Sequence, residues 1–495
     1  MTFRTLPYRS SLALFTDLYQ LTMGQVYWAE GMAEREGVFH HFYRVNPQGG
    51  GYVVACGLEL LVDYLSNLRF GEEDINFLAA IPGNDGQPIF RPEYLDYLRR
   101  LEFNCDVDAV PEGTVMFPHE PLVRVRGPLL QAQLIETALL ALLNYSTAVA
   151  TSAARIAWAA GDTPVFDFSP RRAPGLDGSL TATRSAYVGG FAGTSSVWAA
   201  HQLGLPPQAL KGTMAHSLVM SFDAEPEAFE AYARWMPNNS LFLVDTYGTI
   251  DGVRHAIKVG LKLRAEGFEM LGVRLDSGDL ARLSRRARRM LDQAGFTKAA
   301  IIASNDLNEF LIQSLRTQDA AITVWGVGTK LLVPSLGGVY KLSALREPDD
   351  RWEPKIKLSD QLLKVSIPGT LQVRRYRTLN ANVADCIYDE RTDLTEGGTM
   401  INLLDQTKQM SLPRNTETHD LLVPVMRAGR LVYELPSLAD IRQRRMVELN
   451  FVSDATKRFD NPDVYRVGLE KSLYLLRQQM IVERRGVSDW EEEAV

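Results

Sequence analysis

From about residue 160 to 343 the chain repeats one pattern: a short run of β-branched or aromatic residues, a polar or glycine-rich turn, then a helical stretch. The runs are Pro164–Phe168, Leu210–Met214, Leu241–Val244, Met270–Leu275, Ala299–Ala303 and Ile322–Trp325, with helices expected at 249–266, 279–294 and 307–316. Such alternation implies parallel strands joined by right-handed crossovers. With six or more units it predicts an irregular (β/α) barrel. The fold class expected is therefore α/β: the barrel, an additional α/β domain and a C-terminal extension. The 495 residues are about three times a domain of roughly 150. The expected boundaries are 1–150 for an N-terminal α/β domain contributing to a dimer interface, 151–345 for the barrel, and 346–495 for strands and helices partly packing on the N-terminal domain.

The flanks read differently. Leu12 to Trp28 has an apolar spacing close to helical, and GVFHHFYRV (37–45) and GYVVACG (51–57) read as strands joined by a turn at Asn46–Gly50. After 345, KIKLSD (355–360), LQVRRYR (371–377) and ADCIYDE (384–390) read as antiparallel strands, followed by helices near 437–449 and 461–482. The acidic tail at Asp489–Glu493 reads as a solvated end.

Charge and composition exclude several functions. Lys plus Arg number 53 against 60 Asp plus Glu, a net charge of −7, so bulk electrostatics do not favour nucleic acid, while a local basic pocket for a small anion remains open. The uncharged stretch Thr137 to Ala154 carries Asn144, Ser146, Thr147, Thr151 and Ser152, which fits a buried helix with a polar stripe better than a membrane span. The three cysteines, Cys56, Cys105 and Cys386, lack metal or redox spacing. With no signal-peptide pattern at the N-terminus, they indicate a reduced, cytoplasmic protein.

The chemistry gathers where the runs end. Phe168-Ser169-Pro170-Arg171-Arg172, His216-Ser217, Asp245-Thr246-Tyr247-Gly248-Thr249, Asp276-Ser277-Gly278-Asp279, Ser304-Asn305-Asp306 and Gly326-Val327-Gly328-Thr329 each follow one, and in a barrel such segments converge on one face. Gly278, Ser304, Gly326, Gly328 and Thr329 can point backbone N–H groups at a phosphate. Arg171, Arg172 and Arg274 can grip a carboxylate or phosphate, and Asp245, Asp276 and Asp279 can hold Mg²⁺. Each residue alone has a plainer explanation: Asp279 reads best as a helix cap, a lone His216 as structural, and Gly-x-Gly as a simple turn. Arg282, Arg285, Arg286, Arg288 and Arg289 read as a solvated helix face. His40 and His41 on a strand point to opposite faces and do not share a metal. Six successive strand ends carrying ligand-competent residues, arginines included, outweigh chance capping. They point to a phosphorylated substrate, a metal and an anionic second substrate.

Taken in order, FTDLYQLTMGQVYW (15–28), FDFSPRRA (166–173), GTMAHS (212–217), VDTYGT (244–249), GVRLDSGDL (272–280), GVGT (326–329) and SLGGVYKL (335–342) resemble the nicotinate phosphoribosyltransferase family. The resemblance runs from about residue 11 to at least 345. It implies a type II phosphoribosyltransferase fold, with an irregular α/β barrel plus an α/β domain, working as a homodimer with active sites at the subunit interface. The implied reaction forms nicotinate mononucleotide and diphosphate from nicotinate and 5-phosphoribosyl 1-diphosphate, in NAD salvage by the Preiss–Handler route. ATP hydrolysis through a phosphohistidine drives it and Mg²⁺ assists.

Residue by residue, the resemblance makes His216 the phosphorylated histidine and places Tyr19, from the partner subunit, and Phe168 against the two faces of the pyridine ring. Arg171, Thr213, Ser195 and Arg274 become substrate contacts. Asp245 and Asp276 become active-site acids and candidate Mg²⁺ ligands, with Asp245 the acid expected beside His216. Ser304, Asn305, Gly326, Gly328 and Thr329 become the phosphate cradle. In the related nicotinamide phosphoribosyltransferase an aspartate follows the Gly-Thr that this chain continues with Ser195. A serine does not repel a carboxylate, so the substitution favours nicotinate. The alternatives are that nicotinamide enzyme and a non-catalytic barrel scaffold.

Overall fold

The computed structural model describes residues 12–394, 397–414 and 416–485; the expected solvated tail at 489–493 lies outside the described residues. The chain divides into two compact units, Val149–Pro334 and a second made of Met1–Ala148 with Ser335–Val495.

The Val149–Pro334 unit holds six strands: β1 (Val165–Asp167), β2 (Gly193–Thr194), β3 (Leu241–Leu243), β4 (Gly272–Leu275), β5 (Ala300–Ala303) and β6 (Val324–Val327). They lie in the order β2-β1-β6-β5-β4-β3, and every pairing is parallel. Nearly all their residues are buried, as expected of short apolar strands covered by helices. Helices Gly175–Gly189, Thr249–Ala265, Leu280–Gln293 and Glu309–Thr317 form the crossovers after β1, β3, β4 and β5. Where Thr249–Ala265 packs on β3 the approach is close: a Cβ on Gly252 would stand 2.1 Å from the Val244 carbonyl oxygen.

Five of the six expected runs form strands, and the order is that of a ring, since the last strand, β6, pairs with the first. The ladder itself is open. Leu210–Met214 makes a single parallel bridge, Leu210 to Thr194, instead of a strand. After Lys211 donates its N–H to the Thr194 carbonyl, the chain leaves for the helix that begins at His216. A closed barrel ladder is therefore not what the hydrogen bonds draw. The remaining gap is spanned by a side chain, with Thr213 Oγ1 donating to the Leu241 carbonyl at 2.6 Å.

The other unit is built from both ends of the chain. Its larger sheet orders Trp352–Pro354, Gly338–Arg346, Glu36–Tyr43, Val123–Pro128, Asp106–Ala109, Val423–Arg427 and Arg430–Leu431, all antiparallel. The SLGGVYKL segment, which falls inside the expected 151–345 region, runs into a strand of this unit paired with Glu36–Tyr43. GYVVACG yields only Val53–Val54, paired with Val115–Met116 rather than with its sequence neighbour. A second sheet contains the expected strands as Leu371–Arg377 and Asn382–Asp389. KIKLSD forms no strand, and the 461–482 region opens as a strand, Val467–Glu470, before helix Lys471–Arg485.

Helix Glu136–Ala160 is long and apolar enough to cross a membrane by length and composition, yet it is mostly buried inside the protein. Ser146, Thr147, Thr151 and Ser152 are all at 0 % exposure. All three cysteines are buried.

Candidate active site

Because the six strands run parallel, their C-terminal ends share one edge, and the residues that follow them meet there. β1 continues past Asp167 into Phe168, whose N–H donates to the Val327 carbonyl at 2.7 Å. The Phe168 ring then lies against Gly326, where a Cβ would stand 2.4 Å from the ring. Only glycine leaves room for the aromatic face. Arg274, on β4 and buried, places its guanidinium carbon 5.6 Å from the centroid of that ring, within cation–π range.

Asp167, wholly buried, organises this corner. Its carboxylate accepts from the Ser169 N–H (2.8 Å), the Thr183 hydroxyl (2.7 Å) and the Thr194 hydroxyl (3.0 Å), and its carbonyl accepts from the Ser195 N–H at 2.9 Å. The loop carrying Phe168 and the segment carrying Ser195 are thereby tied to one residue. Phe168, Arg171, Ser195, Lys211, Thr213 and Arg274 line a single cavity of about 290 Å³.

A second cluster adjoins through Arg274. Its Nε donates to Ser304 Oγ at 2.9 Å, and a terminal nitrogen lies 3.4 Å from Asp276 Oδ1. Ser304 in turn donates to Asp276 Oδ1. The other oxygen of Asp276 is 3.8 Å from His216 Nε2, while Thr246 Oγ1 is 3.2 Å from His216 Nδ1. The acid facing His216 is thus Asp276, not the expected Asp245. Asp245 is turned away by its own neighbours, since its Oδ2 accepts from the Asp276 N–H at 3.0 Å and from the Ser277 hydroxyl at 2.5 Å.

Asp245 Oδ1 is shielded from solvent and accepts no hydrogen bond. A buried carboxylate oxygen without a donor is a position that a cation could satisfy. Among the described residues no group of three or more His, Cys, Asp or Glu side chains forms a metal cage. Asp245 and Asp276 therefore suit an ion that takes one or two carboxylates and completes its shell with water and substrate phosphates, the habit of Mg²⁺.

The remaining expected residues fall as follows. Asn305 follows Ser304 with φ of 93° and Asp306 with φ of 46°, a left-handed pair that turns the chain sharply after β5. Gly326, Gly328 and Thr329 follow or end β6, the neighbour of β5. Asp279 does cap its helix, accepting from the Arg282 N–H at 2.9 Å, and on the basic face of that helix Arg288 donates to Asp292 and Arg285 to the Gln318 carbonyl. Tyr19 belongs to the other unit, on helix Leu18–Ala29 and 48 % exposed. Partial burial, Glu136 and Asp17 push its phenol pKa up, so it stays neutral. The sequence reading gave no role to Lys211, Asp167, Thr246 or Ser277. Lys211 directly precedes the Gly-Thr of GTMAHS, and a cation flanking a site motif was the available signal.

With this geometry in view, the comparisons decide the family. Residues 14–144 match the nicotinate phosphoribosyltransferase N-terminal domain and residues 372–477 the nicotinate phosphoribosyltransferase C-terminal domain. The nicotinate phosphoribosyltransferase of Bacillus subtilis is 38% identical over 484 residues, 96% of each chain. The chain belongs to the nicotinate phosphoribosyltransferase family. A Mycobacterium tuberculosis member is 44% identical over 367 residues, 73% of this chain and 75% of that one. The structure of the human nicotinic acid phosphoribosyltransferase superposes with a TM-score of 0.82 at 30% identity, covering 94% of this chain and 99% of that one. A nicotinate-nucleotide pyrophosphorylase from Pyrococcus furiosus, at 21% identity and a TM-score of 0.67 over 88% of this chain and 94% of that one, shares the fold. This family member is accordingly a phosphoribosyltransferase enzyme. Both matched domains lie in the two-ended unit, whereas the strand-end cluster lies in Val149–Pro334.

Proposed function

We propose that the enzyme joins nicotinate to 5-phosphoribosyl 1-diphosphate, releasing nicotinate mononucleotide and diphosphate, and that ATP phosphorylates His216 to drive the step. The observation that carries this reading is the continuity of the two clusters: Arg274 lines the cavity beside Phe168 and also meets Asp276, which faces His216. An aromatic, cation-rich cavity suits a planar anionic ring, and the adjoining histidine and acids suit phosphoryl chemistry.

In this reading the pyridine ring stacks on Phe168, with Tyr19 of a second subunit covering its other face in a homodimer. The ring nitrogen attacks the anomeric carbon, the bond to diphosphate breaks, and no proton is transferred. Arg171 and the strand-end segments at Ser304, Asn305, Gly326, Gly328 and Thr329 hold the ribosyl phosphates. Asp245 and Asp276 would hold Mg²⁺, which would supply charge neutralisation for the leaving diphosphate. With Thr246 Oγ1 taken as the acceptor from His216 Nδ1–H, one of the two directions open to that 3.2 Å pair, the lone pair lies on Nε2. Nε2 attacks the γ-phosphorus of ATP and the bond to ADP breaks, with Asp276 Oδ2 facing Nε2 at 3.8 Å. Ser195 presents no charge to a substrate carboxylate, which supports nicotinate over nicotinamide. The cyclic strand order, with Thr213 bridging to Leu241, supports an irregular barrel as the frame of the site.

Incubation with labelled ATP and Mg²⁺ should leave an acid-labile phosphate on the wild type and none on His216→Ala. Equal labelling of the two would remove His216 from the mechanism.

A further inference from the structure

We infer that Lys211 is the cation that selects the substrate carboxylate, a specificity-determining residue of the proposed nicotinate site; the inference rests on that functional reading. Its position is built in by the backbone. Gly193 comes so near the preceding segment that a Cβ there would stand 1.8 Å from the Ala209 carbonyl oxygen. Leu210 bridges Thr194 in parallel, and the Lys211 N–H donates to the Thr194 carbonyl at 3.0 Å. Ser195 is fixed on the same stretch by its N–H bond to the Asp167 carbonyl. Lys211 and Ser195 are thus clamped side by side, and both line the 290 Å³ cavity.

The direction of the side chain agrees. The ammonium of Lys211 lies 5.9 Å from the centroid of the Phe166 ring. Phe166 and Phe168 are two residues apart along an extended segment, so they share a face. The Lys211 charge therefore stands on the side of β1 where the Phe168 ring stacks.

The cavity lining contains no carboxylate and three cations, Arg171, Lys211 and Arg274. Arg274 is committed to Ser304 and Asp276. Arg171 sits on the short turn Pro170–Arg172 beyond the ring, and the functional reading assigns it to the ribosyl phosphates. Lys211 has no ion-pair partner among the described residues, and its compact ammonium suits one carboxylate on a ring stacked over Phe168. A nicotinamide amide, being neutral, offers it a carbonyl acceptor but no charge to pair with.

The test is steady-state kinetics of the full chain with Lys211→Met and Lys211→Arg, varying nicotinate, nicotinamide and 5-phosphoribosyl 1-diphosphate in turn. Lys211→Met should raise the nicotinate KM by about ten- to a hundredfold, the scale of a lost charge-assisted contact, with kcat and the phosphoribosyl-diphosphate KM little changed. The preference for nicotinate over nicotinamide should fall by the same factor, and Lys211→Arg should recover most of it. An unchanged nicotinate KM, a raised phosphoribosyl-diphosphate KM instead, or equal losses for both pyridines would overturn the assignment. A wild type that forms no nucleotide from nicotinate would sink the functional reading itself, a result separate from any effect of the variants. Lys211 is exposed, and unchanged thermal midpoints of the variants would show that folding is not what the kinetics report.

Discussion

At the scale of single residues, the Phe168 ring is held by what is missing opposite it. Gly326→Ala would drive a methyl to 2.4 Å from the ring, closer than any carbon contact allows, so the ring must swing out of the cavity. The expected outcome is a rise of about tenfold or more in the nicotinate KM, the equivalent of about 1.4 kcal/mol, read by steady-state kinetics. An unchanged KM would mean that Phe168 does not carry the substrate ring. Much of this site was legible in the residues that follow the apolar runs, because a strand end exposes whatever polar group comes next. Which acid faces His216 was not legible. Asp245 and Asp276 are equivalent in a motif, and only the hydrogen bonds from Ser277 and the Asp276 amide turn Asp245 aside. Thr246→Val removes the Nδ1 partner of His216 and should slow His216 phosphorylation in a rapid-quench measurement while leaving nicotinate binding intact.

At the scale of elements, the corner of β1 and β2 depends on Asp167. Asp167→Ala would leave the Ser169 amide and the Thr183 and Thr194 hydroxyls without their acceptor in a buried place. Each such group costs roughly 1–3 kcal/mol when orphaned. Calorimetry should show a loss of about 3 kcal/mol or more, and a loss under about 1 kcal/mol would mean the corner is held by other contacts. The strands of this unit are readable where the run is continuous and apolar, as in LFLV and AAIIA. Leu210–Met214 is apolar at both ends, like a strand, yet its backbone bonds stop at one bridge. KIKLSD alternates like a strand but has no partner ladder, and alternation alone does not supply one.

At the scale of the whole molecule, the pairing of distant segments was the part hidden from the sequence. Val423–Arg427 pairs with Asp106–Ala109, and Gly338–Arg346 with Glu36–Tyr43, and no local pattern encodes a partner hundreds of residues away. That sheet buries two histidines in neutral form. His40 Nε2 accepts from the Leu371 N–H at 3.1 Å and Nδ1 meets Ser343 Oγ at 2.8 Å, while His41 meets Asn144. The two side chains do diverge, as expected. Burial, with Arg124 nearby, lowers the His40 pKa to about 3, and burial lowers that of His41 to about 4. A histidine whose folded pKa lies below its unfolded value binds its proton more readily when unfolded. Stability is therefore lost as pH falls from about 6.5 toward 4, by up to about 1.4 kcal/mol per pH unit for each. Denaturation midpoints should drop across that window for the wild type and less steeply for His41→Gln, and identical slopes would contradict the burial account.

All three scales meet in the claim that one edge of parallel strands transfers a phosphoribosyl group to nicotinate with ATP as the driver. The direct measurement offers the enzyme equal nicotinate and nicotinamide with 5-phosphoribosyl 1-diphosphate and Mg²⁺, with and without ATP, and identifies the nucleotides by mass spectrometry. The account predicts nicotinate mononucleotide as the main product, in larger yield when ATP is present. Nicotinamide mononucleotide as the main product, or no nucleotide at all, would contradict it.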